Sequence, residues 1–400
     1  MEAFDKIIDR RNTDSLKYDY AVRRGKPADI LPLWVADMDF AAPQAVLDAL
    51  RERVEHGVFG YSDAAGDDYF EALRVWNEHR FGWSVRPEWL IKTPGVVFAI
   101  CAAIRALTNE GDTVLIQQPV YYPFEEAVRD NHRRLVVNPL VCEDGRYRMN
   151  LTEFEELVVR HSIKLFVLCS PHNPVGRVWT REELLAVGMI CRKHGVVVVS
   201  DEIHADFVYE GSRHLVFASL SEEFADQTIT CTAPTKTFNL AGLQISNIWI
   251  ANERLREQIS AEIARTGYSQ PNVMGLIACR TAYEQGGEWL DSLRAYLAEN
   301  LSLLRRFLGG KLPEIRLIEP EGTYLVWLDC RALGMPDRQL DEWMAQKAGL
   351  WLDGGTMFGA GGSGFQRMNI ACPRETLCKA LARLEQAVRE ERNPNAETAD

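Results

Sequence analysis

Short, almost wholly apolar runs alternate with amphipathic stretches through the middle of the chain. KLFVLCS (164–170) has the pattern of a strand buried on both faces rather than one that faces water. A Pro/Asn/Gly loop follows it. Thr180-Arg181-Glu182-Glu183 then forms a capping-box pattern at the start of the helix EELLAVGMICRKH. Gly195 ends that helix, VVVVS (196–200) is the next strand, and TITCTA (228–233) is a third. Strand, helix, strand at this spacing predicts a parallel sheet with right-handed crossovers. From residue 287 the period changes. EWLDSLRAYLAENLSLLRRFL sets Leu290, Leu293, Leu297, Leu301, Leu304 and Leu308 on one stripe of a long helix. That helix is expected to lead from a large domain into a smaller one, which holds the strand TYLVWLD (323–329) and the final helix ETLCKALARLEQAV.

Length supports this division, because 400 residues exceed a typical single core. The expected limits are an N-terminal segment, 1–47, joining the small domain; a large domain, 48–286; a C-terminal small domain, 287–392; and a flexible tail, 393–400. A hydrophobic content of 46% and a charged content of 26% are ordinary for a globular chain. The net charge of -12 argues against nucleic acid and anionic membranes as partners. No stretch approaches ~18 uninterrupted apolar residues, and the start, MEAFDKIIDRR, has no apolar signal region, so a cytoplasmic protein is expected. Nine scattered cysteines include no CxxC pair, and several sit in apolar runs, which predicts buried free thiols and no metal.

Ligands of α/β sheets bind at the carboxyl ends of the strands. That rule collects SPHNPVG (170–176), DEIH (201–204) and APTKTF (233–238) at one edge, and with them Asn173, Asp201, His204 and Lys236. TPGVVFAI (93–100) is a turn opening a helix, whose first free N–H groups and dipole form a phosphate seat. A phosphate seat, an acid, a hydrogen-bonding Asn and a lysine against apolar walls are what pyridoxal phosphate requires. The lysine must be partly neutral to form a Schiff base, which an apolar setting favours. The acid, Asp201, keeps a proton on the ring nitrogen. Asn173 and His204 suit the phenolic oxygen, and Tyr121 in PVYYPF is placed to stack on the ring. GAGGSG (359–364) lacks the lysine and the preceding strand of a nucleotide loop, and a flexible loop is expected there.

SPHNPVGRVW, SDEIHADF, CTAPTKTFNLAGLQ and LPLWVADMDF closely resemble the class I/II pyridoxal-phosphate-dependent aminotransferase superfamily of fold type I. Within it they look most like the cystathionine β-lyase branch of the MalY/PatB type. The resemblance runs from about Phe4 to the final helix. It implies an α/β chain with a mostly parallel seven-stranded sheet between helices, a smaller α+β domain, and a homodimer with its active sites at the interface. It assigns the Schiff-base lysine to Lys236, the ring-nitrogen partner to Asp201, the phenolic-oxygen donor to Asn173 and the stacking ring to Tyr121. Gly95, Val96 and Val97 match the phosphate-binding turn, helped by Thr235, and Tyr61 matches a tyrosine that reaches the phosphate from the neighbouring subunit. Arg367 matches the arginine that grips the substrate α-carboxylate, while Trp34 and Asp37 line or brace the entrance.

Two departures from the aspartate aminotransferase pattern carry weight. Gln244 stands where those enzymes have a phosphate-binding arginine, and His204 where they have a tyrosine. Both resemble the lyase branch and argue against a dicarboxylic substrate. The expected activity is cleavage of the Cβ–S bond of L-cystathionine or related cysteine S-conjugates. The alternatives are an aminotransferase with the same residues, or a regulatory protein of this fold that binds a transcription factor.

Overall fold

The computed structural model describes residues 2–63 and 66–392. Seven strands, β1 (Leu90–Thr93), β2 (Thr113–Gln118), β3 (Arg134–Pro139), β4 (Leu165–Cys169), β5 (Val197–Asp201), β6 (Thr228–Thr232) and β7 (Ser246–Trp249), form one sheet. Their order is β1-β7-β6-β5-β4-β2-β3. Strands β2 to β6 pair in parallel, and β7 alone runs against both of its neighbours. Every residue of β4 is buried, as its continuous apolar run requires when helices cover both faces of a sheet.

The connecting helix Arg181–Lys193 starts where its cap dictates. Thr180 Oγ accepts from the Glu183 amide at 3.2 Å, and the Glu183 carboxylate accepts from the Thr180 amide at 2.9 Å. These two bonds satisfy donors that the first turn would otherwise leave free.

A second, antiparallel sheet joins β8 (Arg316–Ile318), β9 (Leu325–Asp329), β10 (Asp353–Gly354) and β11 (Phe365–Asn369) in the order β8-β9-β11-β10. In chain order the 25-residue helix Gly287–Lys311 falls between the two sheets, with all six leucines of the predicted stripe buried. The N-terminal segment packs on this second unit. Leu31–Pro32 pairs in parallel with Leu350–Trp351, and the Asn369 amide donates to Leu33 O at 2.8 Å. We propose the domain limits 1–47, 48–286 and 287–392 on this distribution of strands; the tail 393–400 lies outside the described residues.

The glycine-rich stretch 359–364 forms a short turn packed directly on backbone. A Cβ placed on Gly362 would come within 1.9 Å of Gly355 O, and one on Gly355 within 1.9 Å of Gly362 O. Gly362 is there for close approach rather than for looseness. All nine cysteines are free, six of them buried, with Cys142 and Cys378 exposed. Among the described residues no cluster of His, Cys, Asp or Glu could hold a metal ion. None of their helices is long and apolar enough to cross a membrane.

Candidate active site

Strand register builds the site floor. Cys169, Asp201 and Cys231 are direct partners across β4, β5 and β6, so their side chains share one face. The two thiols are buried and make poor hydrogen-bond partners, so Asp201 sits in apolar surroundings. Its carboxylate accepts from the Ile203 amide at 3.1 Å. Burial pushes its pKa up to about 7, against the pull of that hydrogen bond and of the Lys236 charge.

Beyond β4 the chain turns through two cis prolines, Pro171 and Pro174, on either side of Asn173. Asn173 is buried, and its backbone carbonyl accepts from the Tyr121 amide at 3.0 Å, which fixes the tyrosine beside it. Burial raises the Tyr121 phenol above its ordinary value, and both Arg367 and Asp201 act on it electrostatically. Asn173 Oδ1 accepts from Arg367 Nη1 at 3.1 Å. His172, next in sequence, is structural. Its Nε2 donates to Pro119 O at 2.8 Å, and burial lowers its pKa to about 4.

Beyond β6, a single helical turn, Pro234–Thr237, presents Lys236. Burial lowers the Lys236 pKa to about 8; Asp37 and Asp201 raise it, and Arg367 lowers it. Distant elements add polar and charged groups to the apolar setting of its own turn. The Nζ lies 3.5 Å from Ala36 O, in the N-terminal segment. His204 is buried, with its pKa lowered to about 3 chiefly by burial and further by Lys236 and Arg367, so its ring is neutral.

The helix Val96–Leu107 begins at Gly95 with no side-chain cap, and the space a Gly95 Cβ would occupy is open to 4 Å. The first-turn amides, including those of Val96 and Val97, have no acceptor within their own helix. An anion is the natural partner for such an end. Thr235 is half-buried, one residue before the lysine. Tyr61 lies outside the cluster that this single chain assembles, 97% exposed.

Arg367 lies on β11, which brings it to the first sheet's edge. It is buried, donates to Trp34 O at 2.9 Å, and forms an ion pair with Asp353, its register partner on β10. Its Nε has no partner. Trp34 and Asp37 lie on the N-terminal segment beside Lys236 and Arg367. The Trp34 ring stacks on Trp351 at 4.3 Å, and Asp37 pairs with Arg10.

Several participants were not read from the sequence. Asp353 is the most consequential, since it holds the arginine. Asn369 donates to Val35 O and to Asp37 O, both at 2.7 Å. Arg367 and Asn369 stand two apart on one strand, so period-two alternation was an available signal. Asn239, just past the lysine turn, is another participant. Held at φ 58°, it accepts from the Met38 amide at 2.9 Å and donates to Met38 O at 3.0 Å and Phe40 O at 2.9 Å.

A buried acid, a partly neutral lysine, a neutral histidine and an uncapped helix end, converging at strand ends, define a site for a phosphorylated aldehyde with a basic ring nitrogen. The orphaned Arg367 Nε and His204 Nδ1 are buried polar atoms that such an occupant would meet. The chain belongs to the aminotransferase class I and II family, whose model matches residues 28–384. It is 44% identical to cystathionine β-lyase PatB of Bacillus subtilis (strain 168), over 96% of this chain and 99% of that one. It is 34% identical to protein MalY of Escherichia coli (strain K12), over 96% and 98%. Cystalysin from Treponema denticola, solved with pyridoxal 5'-phosphate, superposes with a TM-score of 0.94 at 38% identity, covering 97% of this chain and 98% of that one.

Proposed function

We propose that this chain is a pyridoxal-phosphate-dependent carbon–sulfur β-lyase that converts L-cystathionine or related cysteine S-conjugates, with water, to a thiol, pyruvate and ammonia. The observation that carries the reading is the convergence of Asn173, Asp201, Lys236 and Arg367 at one sheet edge, in a chain so similar to PatB along its whole length. When bound, the cofactor supplies an aldehyde that captures the substrate amine and an electron-accepting ring that lowers the barrier to loss of the Cα proton.

The residues divide the remaining work. Lys236, partly neutral near pH 8, would hold the cofactor aldehyde through Nζ and, once freed by the substrate amine, would take the Cα proton. Asp201 would carry its charge against a protonated ring nitrogen, which would offset the cost of burying that charge. Asn173 and the neutral His204 would serve the phenolic oxygen, and the Tyr121 ring would cover one face. Gly95, Val96, Val97 and Thr235 would hold the phosphate. Arg367, locked by Asp353 and Asn173, offers its guanidinium to the substrate α-carboxylate and so fixes the Cα–H bond in one orientation. Departure of the thiolate from Cβ leaves a three-carbon fragment that hydrolyses to pyruvate and ammonia.

Two finer proposals go with this reading. The chain works as a homodimer with Tyr61 reaching the partner's phosphate. In support, Tyr61 and the nearby Val54, Val58 and Phe59 form an exposed apolar stretch in a single chain. It works in the cytoplasm, where nine unpaired cysteines remain reduced.

The test is to supply L-cystathionine to the cofactor-loaded protein and measure pyruvate and thiol. Equal release of both is expected. Amino transfer that requires an added keto acid, without pyruvate release, would replace the lyase with an aminotransferase. Light scattering that reports a monomer would remove the role of Tyr61.

A further inference from the structure

Arg24 is exposed, yet it is held in place. Its guanidinium lies 5.2 Å from the Trp34 ring centroid and 5.9 Å from that of Trp351. Those two rings are stacked on each other, 9° from coplanar. Nη1 also donates to Leu16 O at 3.1 Å. Among the described residues no carboxylate pairs with it. A planar cation fixed on an aromatic platform, with its charge unspent, is set to receive a carboxylate in bidentate fashion.

Its position relates it to the substrate. The Trp34 backbone carbonyl holds Arg367, and Trp351 stands two residues before Asp353, the ion-pair partner of Arg367. The platform under Arg24 is therefore made of the two segments that fix the α-carboxylate arginine. The half-buried Tyr122, next to Tyr121, feels Arg24, Arg367 and Asp353 together. One guanidinium is buried and the other exposed, and both act on the same tyrosine.

We infer that Arg24 is a specificity-determining residue that receives the carboxylate at the far end of the substrate's S-substituent. This rests on the lyase reading and names its preferred substrate class: cysteine S-conjugates whose leaving thiol carries a distal carboxylate. Such an extended thioether differs from a short dicarboxylate of the aspartate kind, whose second carboxylate lies too close to Cα to reach Arg24. Because Arg24 is exposed, its contribution is modest and weakens with salt.

The experiment measures pyruvate release by the cofactor-loaded enzyme from L-cystathionine, S-(2-carboxyethyl)-L-cysteine and S-propyl-L-cysteine, with wild type, Arg24→Ala and Arg24→Lys. In Arg24→Ala the ratio of kcat/KM for the carboxyethyl substrate over the propyl substrate falls about fivefold, the upper range for an exposed ion pair. Arg24→Lys recovers part of it, and the wild-type ratio declines with added salt while that of Arg24→Ala does not. A ratio unchanged in Arg24→Ala overturns the inference and leaves the lyase reading standing. Wild-type protein that releases pyruvate from none of the three overturns that reading, and the inference with it.

Discussion

The charge beside Lys236 yields a quantitative test that needs no cofactor. Asp37 Oδ2 pairs with Arg10, while Oδ1 is buried and has no partner. It is the foremost of the charges that raise the Lys236 pKa, opposing burial and Arg367; Asp201 adds to it. Asp37→Asn removes the charge while keeping the shape. The local frame survives, because Arg10 still donates to Asp39 at 2.8 Å and to Met38 O at 3.1 Å. In wild type, a fall from the ordinary 10.5 to about 8 makes the neutral amine about 300 times more abundant at pH 7. Asp37→Asn moves the inflection further down, and Arg367→Met moves it up.

The assay is trace acetylation of cofactor-free protein between pH 6 and 11, with mass spectrometry reporting Lys236 against the exposed Lys347. Wild-type Lys236 is expected to titrate near 8. If it titrates at the ordinary 10.5, the site does not desolvate its amine and the account of the nucleophile fails. If Asp37→Asn raises the inflection, the assignment of Asp37 as the opposing charge fails.

Asp201 makes the complementary prediction. Its folded pKa of about 7 exceeds the ordinary 3.8, so the folded chain holds this proton more tightly than the unfolded chain. That contribution to stability is complete below about pH 4 and is lost as pH rises through 7; Asp201→Asn should therefore gain stability relative to wild type across this window in urea titrations of cofactor-free protein, and a constant difference would count against it. Glu202 is buried and accepts from Ser200 Oγ at 2.8 Å and from the Phe217 amide at 3.0 Å, with His214 Nε2 at 2.8 Å. Glu202→Ala leaves all three unpaired and should cost about 3 kcal/mol in the same titration. Gly362→Ala should destabilise the chain strongly, whereas Gly361→Ala, whose Cβ would stay 3.4 Å from its nearest neighbour, Pro119, should be tolerated; equal melting temperatures for the two would contradict the packing role.

The strands leading to Asn173 and to Asp201 were legible because strands buried on both faces run nearly continuously apolar, and the one before Lys236, TITCT, from its β-branched residues. The helix after β4 was legible from Thr180 and Glu183, since a cap is a local hydrogen-bonding solution. What sequence could not supply depends on register between distant segments. Asp353 meets Arg367 because β10 and β11 align those two residues, and nothing in LWLDGG alone reveals that pairing. The direction of β7 was hidden likewise. A four-residue run carries no polarity, and antiparallel pairing follows from how the chain returns past the lysine turn. The lysine's own neighbours gave its apolar setting, but not the carbonyl and carboxylate that it faces.

Residues 34–38 show how the two sheets act as one site. They form no ladder with one another, so each buried carbonyl needs a donor from elsewhere. Trp34 O is met by Arg367, Val35 O by Asn369, and Ala36 O by Tyr324 and Lys236. Asp37 O is met by Lys17 and Asn369, and Met38 O by Arg10 and Asn239. Lys236 and Asn239 come from the turn after β6, while Arg367 and Asn369 come from β11. The segment that sets the charge beside the lysine is thus anchored at once to the nucleophile's loop and to the arginine's strand. A shift of the second sheet relative to the first would move Asp37 away from Lys236 and uncap several of these carbonyls together. Proton affinity at the lysine and orientation at the arginine are therefore linked through one strip of backbone.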